Sequence, residues 1–302
     1  MGRDVTSLVH FMRAMLGPDI WELEPAVPPM TFNEEMFTSS TPLHIGYFVY
    51  NNCATKPVPA VERAVLLAVR TLQALGHTVE EIDIKDFALR ALADHLFKIL
   101  TADRAQAYER LLRYDNSCEP MKAFVAFCKI PDWLRPILAR VEEFMGNPLE
   151  AATLKARQLR TIPDWFQQAL DLQEFQQEFV KYWKTQKLDI VIGPVWPSPA
   201  NTCENIPKLL GLGSYCSLWN VLNFPAGVVP VTKVTVSDVE KTLDPDVYQA
   251  KKKSEKMIQA EARGSEGLPV TVQVAGLPYT EEMVLRVMAE LEAAITPKLG
   301  EI

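Results

Sequence analysis

The sequence predicts an α/β fold in which a sheet containing parallel strands packs against helices. The first observation is the strand–helix–strand order of residues 43–84, which has the length of a βαβ unit. The second is a set of three further strand-like runs, at residues 188–194, 224–236 and 268–276. The third is a composition of 48% hydrophobic and 23% charged residues over 302 positions, which suits one large domain or two small ones.

The N-terminal elements are predicted from hydrophobic spacing. Apolar residues recur at helical spacing over residues 4–16, and Gly17 follows as a stop signal. Residues 18–42 are rich in proline and predict an extended connector. In the βαβ unit, residues 43–50 and 79–84 are the two strands, and the segment between them is a clear amphipathic helix.

The remaining elements are helices placed between the later strands. Residues 86–113 have a helical pattern, and residues 164–186 form an amphipathic helix rich in aromatic residues. Residues 244–264 are highly charged, so we expect a helix in a solvated surface insertion. Residues 280–294 close the chain as an amphipathic helix with acidic residues near its start, where they favour the helix dipole.

Charge and hydropathy exclude several classes of protein. The net charge of −7 argues against a nucleic-acid-binding protein, so no nucleic-acid partner is expected. No apolar run reaches the roughly 20 residues that cross a bilayer. Arg3, Asp4 and Arg13 make the first residues unlike a cleaved signal peptide.

The cysteines and histidines predict neither a disulfide framework nor a metal site. The cysteine count is odd, the spacings are wide and no CxxC motif occurs, which favours free thiols in a reducing compartment. The histidines are scattered and no HExxH motif occurs, so we expect no metal and no cofactor. The residues are Cys53, Cys118, Cys128, Cys203 and Cys216, with His10, His44, His77 and His95.

Common catalytic motifs are absent from these residues. The sequence has no GxSxG, no GxxxxGK[ST] and no GxGxxG. Gly211-Leu212-Gly213-Ser214 resembles a loop before a helix more than a phosphate cradle. Ser214 and Ser217 have no His or Lys at a recognisable spacing, so both are interpreted as structural serines.

Residues 122–140 form the most informative segment of the middle third. Two short apolar helical faces, separated by Pro131, are flanked by basic residues. Such a helix–proline–helix can lie in a membrane interface, or its aromatic residues can pack on the core. Composition alone favours core packing. The apolar residues are Ala123, Phe124, Phe127, Ile130, Trp133, Leu134, Ile137 and Leu138, and the cations are Lys122, Lys129, Arg135 and Arg140.

The last third of the chain carries a family resemblance. The strings GLGSYCSLWNVLNFPAGVVPVTKVT (211–235) and EGLPVTVQVAGLPYTEEMVLRVMAELE (266–292) resemble the C-terminal part of the amidase-signature family, and in particular its fatty-acid amide hydrolases. The LDIVIGP strand, the opening MGRDVTSLV helix and the closing MAELEAAITP helix resemble the same enzymes in the same order. The resemblance extends over essentially all 302 residues.

This resemblance implies a mixed central sheet wrapped by helices, with residues 1–302 as the C-terminal portion of a single amidase-signature domain whose fold is incomplete here. It implies a membrane-associated serine amidase with a Ser–Ser–Lys triad that cleaves fatty-acid amides, such as N-acylethanolamines, to fatty acid and amine. In the family the Gly/Ser-rich nucleophile segment precedes the MGRDV helix, and no G-G-S-S-G element occurs here, so no catalytic residue is carried over. We therefore expect a chain that is inactive alone. A non-catalytic lipid-binding or dimerisation module and an unstable truncation product are the alternatives.

The resemblance also implies a membrane cap at about residues 121–145. The family's K-[IL]-P-x-W-L string is matched by Lys129, Ile130, Pro131, Trp133 and Leu134. With this match, membrane contact becomes the preferred interpretation of residues 122–140 over core packing. The expected location is the cytoplasmic face of an intracellular membrane, with the chain bound on one side of the bilayer. The expected membrane-contact residues are Phe124, Phe127, Ile130, Trp133, Leu134 and Ile137.

The acyl chain of a fatty-acid amide substrate is expected to run past five positions that match the family's channel. Gly213 and Ser217 are small and would widen the channel, and ordinary core packing is an equally good interpretation of each position. The chain can also have a second copy of itself as a partner, in a homodimer. The five positions are Leu96, Phe97, Leu210, Gly213 and Ser217.

Overall fold

A mixed sheet forms the centre of the protein. The computed structural model describes residues 1–17, 20–24, 26–51, 55–156, 159–206, 209 and 213–299. Within these residues the sheet has the strand order β2-β1-β3-β5-β4. The strands are β1 (His44–Tyr47), β2 (Thr78–Glu81), β3 (Ile190–Gly193), β4 (Ala226–Lys233) and β5 (Pro269–Gly276).

The strand directions confirm both the βαβ unit and the mixed sheet. Strand β1 pairs in parallel with β2 and with β3, so the first three strands form a parallel half. Strand β5 runs antiparallel to both β3 and β4. The predicted strand runs are all present, although each observed strand is shorter than its predicted run.

Helices surround this sheet. The N-terminal helices are α1 (Val5–Met15), α2 (Ile20–Leu23), α3 (Glu34–Thr38), α4 (Pro59–Ala74) and α5 (Lys85–Arg90). A π-helical segment, Ala91–Leu96, leads into α6 (Phe97–Leu100), α7 (Gln106–Leu111), α8 (Glu119–Cys128), α9 (Arg135–Phe144) and α10 (Pro148–Lys155). The C-terminal helices are α11 (Ile162–Thr185), α12 (Ser214–Leu222), α13 (Val236–Leu243), α14 (Lys253–Glu261) and α15 (Glu281–Leu299).

Each face of the sheet is covered by its own hydrophobic cluster, because strand side chains alternate between the two faces. Ile190 and Ile192 of β3 join the cluster that contains residues of α1, α4 and α15. Val191, between them, joins the cluster formed with α11 and α12. The result is a three-layer α/β/α arrangement in which the sheet is buried between helices.

Two predicted segments are more broken than their sequence patterns suggest. The connector at 18–42 contains the short helices α2 and α3 in addition to extended chain. The helical run at 86–113 is interrupted before α7, where Arg104 and Ala105 adopt positive φ angles of 54° and 64°. The carboxylate of Asp103 accepts hydrogen bonds from the backbone N–H groups of Ala105 and Ala107, which stabilises this break.

The prediction for residues 244–264 is wrong in part. Helix α13 ends before this segment, α14 begins only at Lys253, and the residues between them form turns and irregular chain. Tyr248 is fully buried and its hydroxyl donates to the carbonyl oxygen of Lys56 at 2.9 Å. Glu255 and Ile258 are also buried, so the charged segment packs on the core and is not a solvated insertion.

None of the helices in the described part of the chain is long and apolar enough to span a bilayer. Four of the cysteines lie in that part and are free thiols: Cys118, Cys128, Cys203 and Cys216. Cys53 lies outside the described residues.

Candidate functional site

An apolar cavity of about 320 Å³ lies beneath the helix–proline–helix segment. Helix α8 and the turn after it supply one wall, α9 and α10 supply another, and Phe97 at the start of α6 closes the inner side. The lining residues are Phe97, Ala123, Phe124, Phe127, Ile130, Leu138, Glu142, Glu150, Thr153 and Leu154.

Local sequence explains why these side chains converge. Phe124 and Phe127 are three residues apart on α8, so they share one helical face. The ring of Phe127 meets the ring of Phe97 edge-to-face, with centroids 5.9 Å apart, a favourable aromatic geometry. Helix α8 ends at Cys128, and α9 begins at Arg135 after a turn that contains Pro131.

The same helix pair presents a second apolar surface, which faces solvent. Trp133 is 72% exposed, Ile137 is 52% exposed and Phe144 is 94% exposed. Monomeric soluble proteins rarely expose large apolar side chains so close together, and such patches mark interaction sites. We call α8, α9 and the turn between them the cap, and its solvent-facing residues Trp133, Ile137, Val141, Phe144 and Met145 the outer face.

The expected membrane-contact residues therefore separate into two groups. Phe124, Phe127 and Ile130 are partly buried and line the cavity. Trp133 and Ile137 lie on the outer face. Leu134 is partly buried and does not line this cavity within the described residues. Membrane contact itself stays a prediction for all six.

The expected substrate-binding residues do not form one site among the described residues. Phe97 lines the cavity, whereas Leu96 packs against the core cluster of α11 and α12. Ser217 is buried and its hydroxyl donates to the carbonyl oxygen of Gly213 at 2.6 Å, across the first turn of α12. Leu210 lies outside the described residues.

The cavity includes residues that the sequence analysis missed. Leu154 comes from α10, a helix that was not predicted, and Leu138 was assigned only to an apolar face. A signal for α10 was available: Asn147-Pro148 is a helix start, and Ala151 and Leu154 are spaced for one buried face.

The chemistry of the cavity favours an apolar ligand. Most lining side chains are aliphatic or aromatic, and the carboxylate of Glu142 accepts a hydrogen bond from Asn147 Nδ2 at 2.8 Å. Burial raises the pKa of Cys128, which follows Phe127 on α8, to about 11, so this thiol is neutral near pH 7 and a poor nucleophile. The site can bind an alkyl chain, but its walls offer no activated nucleophile.

Within the part of the chain that the structure describes, Ser214 and Ser217 form no nucleophile–base pair. Ser214 Oγ accepts a hydrogen bond from Asn51 Nδ2 at 3.2 Å, and the Ser217 hydroxyl is bonded to Gly213. In the described ranges, neither hydroxyl is bonded to a histidine or lysine. The same ranges contain no group of three or more His, Cys, Asp or Glu residues able to hold a metal ion.

Comparisons with known proteins point to one family. The amidase family model matches residues 1–285. Fatty-acid amide hydrolase 1 of Sus scrofa is 35% identical over 312 residues, covering 98% of this chain and 50% of that protein. Fatty acid amide hydrolase 1 of Caenorhabditis elegans is 33% identical, covering 99% of this chain and 51% of that protein. The chain thus spans about half the length of these curated relatives.

Solved structures show the same fold. A fatty acid amide hydrolase superimposes with a TM-score of 0.70 at 19% identity, covering 98% of this chain and 47% of that one. A 6-aminohexanoate cyclic dimer hydrolase in complex with substrate gives a TM-score of 0.53 at 16% identity, covering 89% of this chain and 48% of that one. At these identities the likeness concerns the fold alone, and it agrees with the mixed α/β sheet described above.

Proposed function

The chain belongs to the amidase family, and we propose that it supplies the acyl-binding and membrane-facing part of an enzyme that hydrolyses fatty-acid amides. Two relatives that match nearly the whole chain are named fatty-acid amide hydrolases, which supports this substrate class. The products of the proposed reaction are a free fatty acid and an amine, as in the cleavage of N-acylethanolamines or primary fatty amides.

The observation that carries this proposal is the apolar cavity beneath the cap. An acyl chain is a flexible hydrocarbon, and its transfer from water to such walls is favourable by about 0.8 kcal/mol for each buried CH₂ group. Phe97, Phe127 and Leu154 provide such walls, and the carboxylates of Glu142 and Glu150 are the charged groups among the lining residues. The amide head would then lie at the cavity's mouth, where the catalytic groups of the enzyme must reach it.

We propose that the nucleophile is not among these 302 residues. Amide hydrolysis by a serine enzyme needs an activated hydroxyl and N–H donors that stabilise the oxyanion. The sequence contains no G-G-S-S-G element, and Ser214 and Ser217 are bonded to Asn51 and Gly213 in the fold. The chain is then expected to bind substrate without converting it.

The outer face supports a membrane role for the same helix pair. Trp133, in the turn before α9, and Ile137, in the first turn of α9, are both exposed. An apolar face flanked by cations is typical of helices that lie in a membrane interface. Lys129 and Arg140 are exposed cations beside this face. We propose that the cap rests on the cytoplasmic face of an intracellular membrane and admits lipid substrate to the cavity from there.

A matched pair of tryptophan variants tests the cavity. Ala123 lines it, whereas Ala126, on the same helix α8, does not. Ala123→Trp should fill the cavity and weaken binding of a fluorescent fatty-acid amide about tenfold or more, whereas Ala126→Trp should bind like wild type. Equal binding by all three proteins in a fluorescence titration would exclude the cavity as the acyl site.

The second candidate is a non-catalytic lipid-binding or dimerisation module. The first three turns of α11 favour dimerisation, because Ile162, Trp165, Phe166 and Leu170 are exposed on that helix. If this face joins two copies, sedimentation velocity should show a dimer that Phe166→Asp converts to a monomer. Labelling of the purified chain by a fluorophosphonate probe would contradict both candidates, because each assigns no nucleophile to these residues.

A further inference from the structure

Arg135, at the start of α9, is a buried guanidinium with incomplete hydrogen bonding. The side chain is 4% exposed. Its guanidinium carbon lies 5.2 Å from the centroid of the Phe127 ring, which is a cation–π contact. Nη2 donates to the carbonyl oxygen of Phe127 at 3.2 Å, and Nε makes a long bond to that of Ile130 at 3.4 Å. Nη1 is buried and has no partner within the described chain.

The surroundings of Arg135 do not neutralise its charge. Among the described residues, no carboxylate lies within ion-pair distance of this guanidinium. Four other cations of the region do pair with a carboxylate: Arg104, Lys129, Lys155 and Arg160. Burial lowers the pKa of Arg135, and the positive charge of Arg104 acts in the same direction. Since arginine does not lose its proton in proteins, a buried and unpaired charge remains, and such a charge is costly.

A second cavity, of about 400 Å³, opens beside this side chain. We call it the basic cavity. Arg135 lines it together with Asp132, Pro136, Leu154, Lys155, Ala156 and Arg160.

Cations outnumber carboxylates around the basic cavity. Asp132 is shared between Arg160 and Arg104, and Arg104 Nη2 lies 3.4 Å from its carboxylate. Lys155 pairs with Glu143. Among the residues that the structure describes here, four cations therefore meet two carboxylates, and Arg135 is the cation without an acidic partner.

We propose that the basic cavity binds a phosphate-type oxyanion, with the guanidinium of Arg135 on its inner wall as the central cation. A guanidinium presents its N–H groups in a planar fork that matches phosphate oxygens, and a bound anion would balance the charge that no carboxylate pairs within the described residues. Lys155 and Arg160 add positive charge at the rim. The anion is either a phospholipid headgroup, since Trp133 and Ile137 of the outer face flank Arg135 in sequence, or free phosphate. Binding of this anion does not require amide hydrolysis.

Thermal unfolding of the full chain in phosphate tests the soluble source. Sodium phosphate, compared with sodium chloride at equal ionic strength, should raise the unfolding temperature of wild type by about 2–4 °C at saturation. Arg135→Gln should remove this rise and fold at least as well as wild type in chloride, because it deletes an uncompensated buried charge. Arg140→Gln, which removes an exposed cation from the same helix, should keep the rise.

Vesicle flotation tests the lipid source. Phosphatidylcholine vesicles with phosphatidic acid should bind wild type more tightly than pure phosphatidylcholine, and Arg135→Gln should weaken that preference about tenfold.

Should Arg135→Gln fail to fold, Lys155→Gln, from the same cavity, should weaken both responses. A response to phosphate or to phosphatidic acid that depends on Arg135 supports the site and identifies its source. No response of wild type to either probe, or an unchanged response of both cavity variants, would overturn the proposal.

Discussion

His95 is a buried histidine whose protonation couples pH to the stability of the fold. It lies in the π-helical segment, and its Nδ1 is 3.0 Å from Gln168 Nε2 on α11. Its ring packs 4.7 Å from that of Phe175. Burial lowers the pKa of His95. The charge of Asp94 raises this pKa and the charge of Lys98 lowers it, and the net lowering favours the neutral ring in the folded state.

The expected pH dependence follows from this direction. A group whose pKa is lower in the folded state than in the unfolded state binds more protons when the chain unfolds. The contribution of His95 to the free energy of unfolding is therefore fully present above about pH 6.5 and decreases as the pH falls below that value. Urea unfolding at pH 7.5, 6.5 and 5.5 should show this decline in wild type and a smaller decline in His95→Gln. His10→Gln, a change at an exposed position on α1, should decline like wild type. A decline that is the same in all three proteins would assign the acid sensitivity to other groups.

At the scale of single residues, the sequence predicted which types of side chain matter but not which way they point. Helical spacing places Phe124 and Phe127 on one face of α8, and this face does line the cavity. The relation of that face to Trp133 depends on the turn at Pro131, which spacing does not determine. The buried Arg135 was expected only as one of four flanking cations, because its burial comes from contacts with Phe127 and Ile130 that helical spacing does not determine.

The cap is the element on which the membrane proposal depends. Trp133→Glu places a carboxylate in the outer face, and transfer of that charge into the interface is unfavourable. The variant should bind anionic liposomes at least about fivefold more weakly than wild type in co-sedimentation. The cavity should be unaffected, because Trp133 does not line it within the described residues.

A second exposed tryptophan provides the control. Trp165 is 47% exposed on α11, outside the cap, so Trp165→Glu makes the same chemical change elsewhere. It should bind liposomes like wild type. Wild type that stays wholly in the supernatant, or equal binding by both variants, would contradict the assignment of the outer face to the membrane.

Elements with strong local patterns were predicted well, and those that depend on long-range contacts were not. The strands β1, β2 and β3 follow from β-branched runs, and their pairing follows from the βαβ order. Helix α13 was missed although Thr235 and Asp238 form a capping box at its start, a signal that the sequence contained. The burial of Tyr248 and Glu255 could not be predicted, since it depends on contacts with residues 55–56, distant in sequence.

At the scale of the molecule, the fold joins a lipid-sized cavity to an apolar outer face through one helix pair. The sheet and its two hydrophobic clusters hold α11, α12 and the π-helical segment in place, and Phe97 follows directly from that segment. The resemblance in sequence led to the cap and to Phe97. Gly213, just before α12, and Ser217, in the first turn of α12, do not join the cavity within the described residues. Binding of an acyl chain and catalysis are therefore separable properties in this account.

Oleamide, a primary fatty amide, tests this separation most directly. The purified chain should be incubated with radiolabelled oleamide in detergent micelles, and bound ligand and released ammonia should be measured in the same samples. The account predicts saturable binding, weakened about tenfold by Ala123→Trp, with no ammonia released above the buffer control. Release of ammonia in proportion to protein, abolished by a substitution at one of this chain's own serines, would contradict it.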